Sequence, residues 1–375
     1  MNRYNIKKSA HPIPAPFQTR GKPGGGWSAW NGAWDGRTED QEMNNRLCVI
    51  GEALIDFIPD RKGQRLKDVS GFKRVAGGAP ANVAGAVTKL GISSKMLTKL
   101  GADPFGDYIE EVLQEAGIDT AHIRRDSRGE TALAFVSLAE DGNRDFKFYR
   151  RNSADLLYAP EEIPEDVLDD CGMIHFCSVD LMESPMKEAH RKLVSMALEK
   201  GVLVSFDPNL RPSLWGDDEA MKKAVLEFLP LADIVKISDE ELEFITGETE
   251  IEKALGTLSS GRACCVVYTK GADGAEVYVR PKGSSADQWT RAEAPGFRVE
   301  ARDTTGAGDS FIGAFLFCIL RDRTADPGAL SADTLTGYLE FANAYAAYTT
   351  TREGALAAMA DAKQMEEWLV FCKNM

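Results

Sequence analysis

The sequence predicts an α/β fold, a doubly wound and mostly parallel sheet flanked by helices, with a small antiparallel β lid. Three observations predict it. Between residues 158 and 300 short apolar runs alternate with helical segments, as a doubly wound sheet requires. Two Gly-rich stretches, at 75–84 and 303–311, each lead into a helix. Two segments of strand character flank Asp141-Gly142-Asn143, a strong hairpin turn, and interrupt the βα chain. These place the lid at about 60–76 and 130–151.

At 375 residues the chain can bury a sizeable core. Its 58 acidic residues against 44 basic ones give a net charge of -14, which repels nucleic acid and anionic membranes alike. An anionic ligand must therefore be held by local dipoles and a few cations. Seven cysteines without a C-x-x-C pair fit neither a disulfide framework nor a zinc site and point to a reducing cytoplasm. No stretch is long and apolar enough to span a bilayer, and the N-terminus lacks the apolar core of a signal peptide. Residues 1–44 read as a disordered extension: they carry no acid before Asp35, are rich in Pro and Gly, and show no helical or strand period. The folded domain then runs over 45–375.

Taken in order, Leu47-Cys48-Val49-Ile50 is a buried strand, and Asp56 follows it where open parallel sheets place ligands. A carboxylate there is a bidentate acceptor for hydroxyls, and a loop or capping aspartate is the plain alternative. In the next Gly-rich turn, Gly77 and Gly78 let a ligand touch the backbone. Pro80 suits the first position of a helix that Gly91 stops, so Asn82 falls in its first turn. The strand at 173–177 contains His175, a core histidine by its lack of a paired acid or cysteine. The strand at 202–207 ends in Asp207-Pro208-Asn209-Leu210-Arg211, whose arginine fork matches phosphate oxygens. Lys236 lies close enough to Ser238 to assist a phosphate, and Ser238 with Glu241 makes a complete capping box. Another buried strand, 263–269, turns through Gly271 and Gly274.

The stretch Asp303-Thr304-Thr305-Gly306-Ala307-Gly308-Asp309 organises the rest. Its small residues open a helix whose first amides, at Gly306, Ala307 and Gly308, form an anion hole at the positive end of the helix dipole. Asp309 sits beside that hole, which makes little sense for mere anion binding because the charges repel. It makes sense for phosphoryl transfer, with the amides stabilising the migrating phosphate and Asp309 accepting a hydroxyl proton. The plain alternative is a structural turn. The later Ala-rich segment 338–351 admits either a flat ring or a close helix neighbour.

The word D-T-x-G-A-G-D at 303–309 resembles, without departure, the C-terminal signature of the ribokinase or PfkB family of carbohydrate kinases. Gly77, Gly78 and Asn82 resemble its N-terminal G-G-x-x-x-N. Phe148-Tyr149-Arg150-Arg151-Asn152-Ser153-Ala154-Asp155 is similar to a word of fructokinases, and the run from Asp207 to Trp215 to one shared by fructokinases and 2-keto-3-deoxygluconate kinases. The resemblance implies a ribokinase-like fold and ATP-dependent phosphorylation of a terminal sugar hydroxyl, with fructose giving fructose 6-phosphate. It implies sugar contacts at Asp56, Gly77, Gly78, Asn82, Arg150 and Asp309. It implies nucleotide contacts at Arg211, Lys236, Thr269, Gly271, Gly274 and Asn343. Glu241 would order Mg2+ through water, although Ser238 stands where the family's N-x-x-E word has Asn. Asp303 and Thr305 are candidate K+ ligands beside Gly354, and the lid would support a homodimer. The alternatives are 2-keto-3-deoxygluconate kinase, where Arg150 or Arg151 would meet the substrate carboxylate, another PfkB sugar kinase, and a catalytically silent relative.

Overall fold

The computed structural model describes residues 18–19, 45–61, 63–138, 144–282, 284 and 288–373. The first half forms β1 (Gln18–Thr19), β2 (Arg46–Ile50), β3 (Leu54–Pro59), β4 (Phe72–Gly77), α1 (Ala79–Lys89), β5 (Ser94–Gly101) and α2 (Pro104–Glu115). It continues through β6 (Ile123–Asp126), β7 (Leu133–Leu138), β8 (Arg144–Tyr149), β9 (Cys171–Cys177) and α3 (Pro185–Lys200). The second half forms β10 (Leu203–Asp207), α4 (Pro212–Trp215), α5 (Asp218–Phe228), β11 (Ile234–Ser238), α6 (Asp239–Thr246), α7 (Ile251–Leu258), β12 (Cys265–Thr269) and β13 (Ala275–Val279). It ends with β14 (Thr290–Ala294), β15 (Phe297–Arg298), α8 (Ala307–Arg321), α9 (Ala332–Thr350), α10 (Ala355–Ala358) and α11 (Ala362–Lys373).

Nine strands make one sheet in the order β14-β13-β12-β11-β10-β9-β2-β5-β6. The seven from β12 to β6 run parallel, and β13 and β14 add antiparallel at one edge. Leu47, Cys48, Val49 and Ile50 of β2 are all fully buried, the mark of a strand covered on both faces. One covering layer is built around α1, α8 and α9, the other around α3, α5 and α7. Where α1 crosses α8, a side chain at Gly313 would come within 2.6 Å of the Ala86 Cβ, so the two backbones pack with only a hydrogen and a methyl between them.

The lid is a second, four-stranded sheet in the order β4-β3-β7-β8. Its outer pairs are antiparallel and its central pair, β3 with β7, is parallel. The strand β3 departs from the sequence expectation, in which Glu52 to Asp56 simply followed at the end of the first sheet strand and the lid began at about 60. Asp56 therefore belongs to the lid itself. The Asp141-Gly142-Asn143 turn expected to join β7 and β8 lies outside the described residues, as does most of the expected disordered extension. Within that extension Gln18–Thr19 pairs antiparallel with Phe297–Arg298. On one lid face Phe57 stacks on Phe135 at 4.7 Å and meets Phe105 of α2 edge-on at 5.8 Å, which ties the lid to the main body. Among the described residues no helix is long and apolar enough to cross a membrane.

Candidate active site

The helix α8 begins between two cavities. Its N-cap, Gly306, sits at φ 71°, in the left-handed region, and a side chain there would come within 2.7 Å of the Ala355 Cβ. The larger cavity, about 830 Å³, is lined by Lys236, Thr269, Gly271, Gly274, Gly308 and Asn343, among others. The smaller is lined by Glu52, Asp56, Asn82, Asn209, Arg211 and Asp309, with Phe148 and Gly306 at its edge. Five residues assigned from the sequence to nucleotide contact thus share the larger cavity. Arg211, the sixth, lies in the smaller one, on Asp309's side of the corner.

Asp309 is 7% exposed, and each of its carboxylate oxygens accepts one amide hydrogen bond. Asn82 Nδ2 donates to Oδ2 at 2.8 Å, and Asn209 Nδ2 donates to Oδ1 at 3.0 Å. Burial raises the Asp309 carboxyl above its ordinary value, opposed by Asn82, Arg211, Lys236 and Asn209. The result is a carboxylate fixed in orientation and more basic than a surface aspartate. The Ala307 N–H, expected to join the anion hole, is already donated to Thr304 O at 3.2 Å. The hole therefore centres on the first-turn amides of Gly308 and Asp309, which have no intrahelical acceptor.

A cation faces this hole. Lys236 Nζ lies 3.7 Å from where a Gly308 Cβ would be and donates to Asp207 Oδ1 at 3.2 Å. Burial alone would depress this ammonium, but Asp207, Glu241 and Asp309 outweigh it and hold Lys236 charged. Asp207 is itself pushed by burial up to about 7, against the pull of Lys236. Glu241 accepts the Leu210 N–H at 2.8 Å on one oxygen and the Ser238 N–H at 2.9 Å on the other, completing the expected capping box. Burial would raise Glu241, yet Lys236 and these amides keep it below the ordinary carboxylate value. Among the described residues no cluster of three or more His, Cys, Asp or Glu could hold a metal ion. Glu241 lines neither cavity, and its two oxygens are taken by the Leu210 and Ser238 amides, so a hard cation here would be carried mainly by phosphate and water oxygens.

The sugar-side expectations divide. The Asp56 carboxylate fills the space a Gly77 side chain would need, since a Cβ there would lie 2.2 Å from Oδ2. Gly78, at φ 107°, sits just as tightly on Glu52, whose carbonyl would be 2.4 Å from an added Cβ. These contacts explain both glycines of the turn. Arg150 corrects the expectation. Its guanidinium is buried in ion pairs with Asp155 and Asp180 and donates to Val179 O at 3.0 Å, and the smaller cavity is lined without it. Two buried carboxylates claim this cation because an unpaired one costs more than the pairing. Asp303 accepts from the Thr305 N–H at 2.9 Å and the Gly354 N–H at 2.9 Å, which brings the expected K+ candidates Asp303 and Thr305 together with the Gly354 turn. His175 is fully buried, bonds Ser205 Oγ at 3.0 Å, and is pushed by burial down to about 3, as a core histidine is.

Sequence reasoning missed Asn209 and Asp207. The run that carries Arg211 contains them, but nothing local announces their roles. Asn209 adopts φ 45°, its N–H donates to Asp207 Oδ1 at 3.1 Å, and that turn aims its side chain at the Asp309 carboxylate 100 residues away.

The profile of the pfkB family carbohydrate kinases matches residues 44–362. Probable fructokinase-4 of Arabidopsis thaliana is 41% identical over 327 residues, covering 86% of this chain and 96% of the relative. Among solved structures, fructokinase with bound ATP from Xylella fastidiosa superposes with a TM-score of 0.76 at 34% identity, covering 88% of this chain and all of that one. Fructokinase from Vibrio cholerae O395, in its fructose, ADP and calcium ion bound form, gives 0.74 at 31% identity over 88% of this chain and 99% of that one.

Proposed function

The chain belongs to the pfkB family of carbohydrate kinases, and from that premise we propose that it transfers the terminal phosphoryl group of ATP to a terminal hydroxyl of fructose, giving fructose 6-phosphate and ADP. The observation that carries the reading is the amide-clamped Asp309 at the boundary of two cavities. The sugar occupies the smaller one, where Asp56 and the Asn82 Oδ1, a buried acceptor without a protein partner among the described residues, take its hydroxyls. The nucleotide occupies the larger one, its ring against Ala346, Ala347 and Asn343 and its phosphates toward Gly308 and Lys236. As the sugar oxygen bonds to phosphorus and the bond to the ADP oxygen breaks, Asp309 receives the hydroxyl proton. The Gly308 and Asp309 amides and the Lys236 ammonium hold the charge spread over the transferring oxygens. Mg2+ carried in with the nucleotide would neutralise phosphate charge, Glu241 is the residue that would order its water, and Asp303 and Thr305 are those that would hold K+.

Fructose is favoured over 2-keto-3-deoxygluconate on charge. The smaller cavity presents Glu52, Asp56 and Asp309 against the single cation Arg211, and Arg150 is sequestered by Asp155 and Asp180. An acid sugar would bring a fourth carboxylate into that space. Likeness to fructokinases over most of the chain supports the same choice. The seven cysteines, all free and buried, fit a reducing cytoplasm. Tyr149, 60% exposed on the edge strand β8, is a candidate contact for the lid-mediated homodimer, which sedimentation would test. A coupled assay with ATP, Mg2+ and fructose, ribose, glucose or 2-keto-3-deoxygluconate tests the substrate. Fructose should have the highest kcat/KM. Preference for the acid sugar would overturn the assignment, and no turnover of any sugar would leave a silent relative.

A further inference from the structure

Glu52 stands in the bend between β2 and β3, 3% exposed, in the wall of the smaller cavity beside Asp56 and Asn82. Its two oxygens have different fates. Oε1 accepts the Ala79 N–H at 2.9 Å, which caps the start of α1 and fixes the side chain against the positive end of that helix. Oε2 is buried and has no hydrogen-bond partner among the described residues. A buried carboxylate oxygen without a donor is costly, and native structures almost always satisfy such atoms. Arg150, the cation whose charge acts on this carboxyl, is committed to Asp155, Asp180 and Val179 O. No capping role explains Oε2, because Oε1 alone performs it.

We propose that Glu52 is a sugar-binding residue whose Oε2 accepts a hydrogen bond from a substrate hydroxyl other than the one phosphorylated. The proposal rests on the sugar-kinase reading above and adds a second carboxylate to the grip of Asp56. The two reach the sugar from different supports: Asp56 from a lid strand, Glu52 from the end of β2 and locked to α1. Glu52 thus measures the sugar against the fixed body of the protein, and Asp56 against the lid. Burial pushes the Glu52 carboxyl up to about 7, in spite of Arg150 and the Ala79 amide, consistent with an oxygen still lacking its donor. The cavity is consequently built for a polyol and discriminates by hydroxyl pattern.

The test compares wild type with E52Q, which keeps an acceptor for the Ala79 N–H but replaces Oε2 by an NH2 group. Both are assayed with the sugar that wild type turns over best and with its monodeoxy analogues, and sugar affinity is read independently by calorimetry. A wrong sugar assignment then shows in the wild-type rates and leaves the Glu52 comparison intact. The expected result is a KM and Kd for sugar raised on the order of 10- to 100-fold, the loss typical of one charge-assisted hydrogen bond, with kcat changed less than about threefold. One monodeoxy analogue should bind both proteins equally, identifying the hydroxyl that Oε2 meets. An unchanged Kd would overturn the proposal, as would a loss of the same size for every analogue, the mark of altered packing. Should E52Q fail to fold, E52D, which withdraws the carboxylate by one methylene, serves with the same criteria.

Discussion

The two cavities on either side of Gly306 to Asp309 are built from different material. The larger spreads Lys236, Asp239, Glu240, Asp273 and Arg298 among a long run of small residues and backbone, including Gly271, Gly274, Ala307, Gly308 and Ala347. The smaller is walled by side chains that carry charge or amides, including Glu52, Asp56, Asn82, Asn209, Arg211 and Asp309. A phosphate chain and a flat ring are recognised by shape, dipoles and amide hydrogens, which many sequences supply. A polyol is recognised by directed acceptors and donors, each needing a named atom in place. Single side-chain changes should therefore be felt more on the acceptor side than on the nucleotide side.

The sharpest test of this contrast is Asp309→Asn, which keeps the shape and removes the proton acceptor. Turnover should fall by roughly 100- to 10,000-fold, with KM for ATP nearly unchanged. Wild-type-like turnover would remove Asp309 from the chemistry. Next in size is Arg150→Met, because the acceptor wall leans on a buried ion cluster. Leaving Asp155 and Asp180 without their cation should destabilise the fold by about 3–5 kcal/mol in denaturant titrations. A change near zero would mean that the cluster carries no net cost when broken.

Asn209→Ala refines the picture within the acceptor side. Losing one amide from the base should lower kcat on the order of 10-fold, the lower end for a hydrogen bond to a charged group. It should also move the pH profile. Burial raises the Asp309 carboxyl, so kcat/KM falls as pH drops through a value above that of an ordinary aspartate. Asn209 opposes that rise, so its removal shifts the acid limb to higher pH; a shift to lower pH or none would refute the clamp. The smallest effect belongs to Asn343→Ala, whose amide donates to Ala294 O and Pro295 O at 3.2 Å on the nucleotide side. KM for ATP should rise no more than about fivefold, the scale of a neutral hydrogen bond. A loss as large as that of Asn209→Ala would break the contrast between the two walls.

The same contrast governs how much of the molecule can be read from its sequence. The strands at 47–50, 173–177, 202–207 and 263–269 were legible because each is a mainly apolar run, and the Ser238 with Glu241 cap because its partners are three residues apart; β5, fully buried yet carrying Lys95, Thr98 and Lys99, gave no such signal. Gly271, Gly274 and Gly308 of the larger cavity could be singled out because glycines at turns announce themselves. The acceptor wall was only partly so. Asn82 and Asp309 could each be singled out, but the bond between them spans 227 residues and no local pattern encodes it. Arg150 misled because its capture by Asp180 depends on a turn about 30 residues away. The strand β3 was hidden because only three residues separate it from β2, though the two enter different sheets.

The contact of Gly313 with Ala86 makes α1 and α8 a single block, and that block carries both Asn82 and Asp309. The spacing between the Asp309 carboxylate and the Asn82 amide is therefore inherited from the core, independent of how the lid strands are shaped. The lid strands can therefore vary while the Asn82 to Asp309 geometry rides along unmodified.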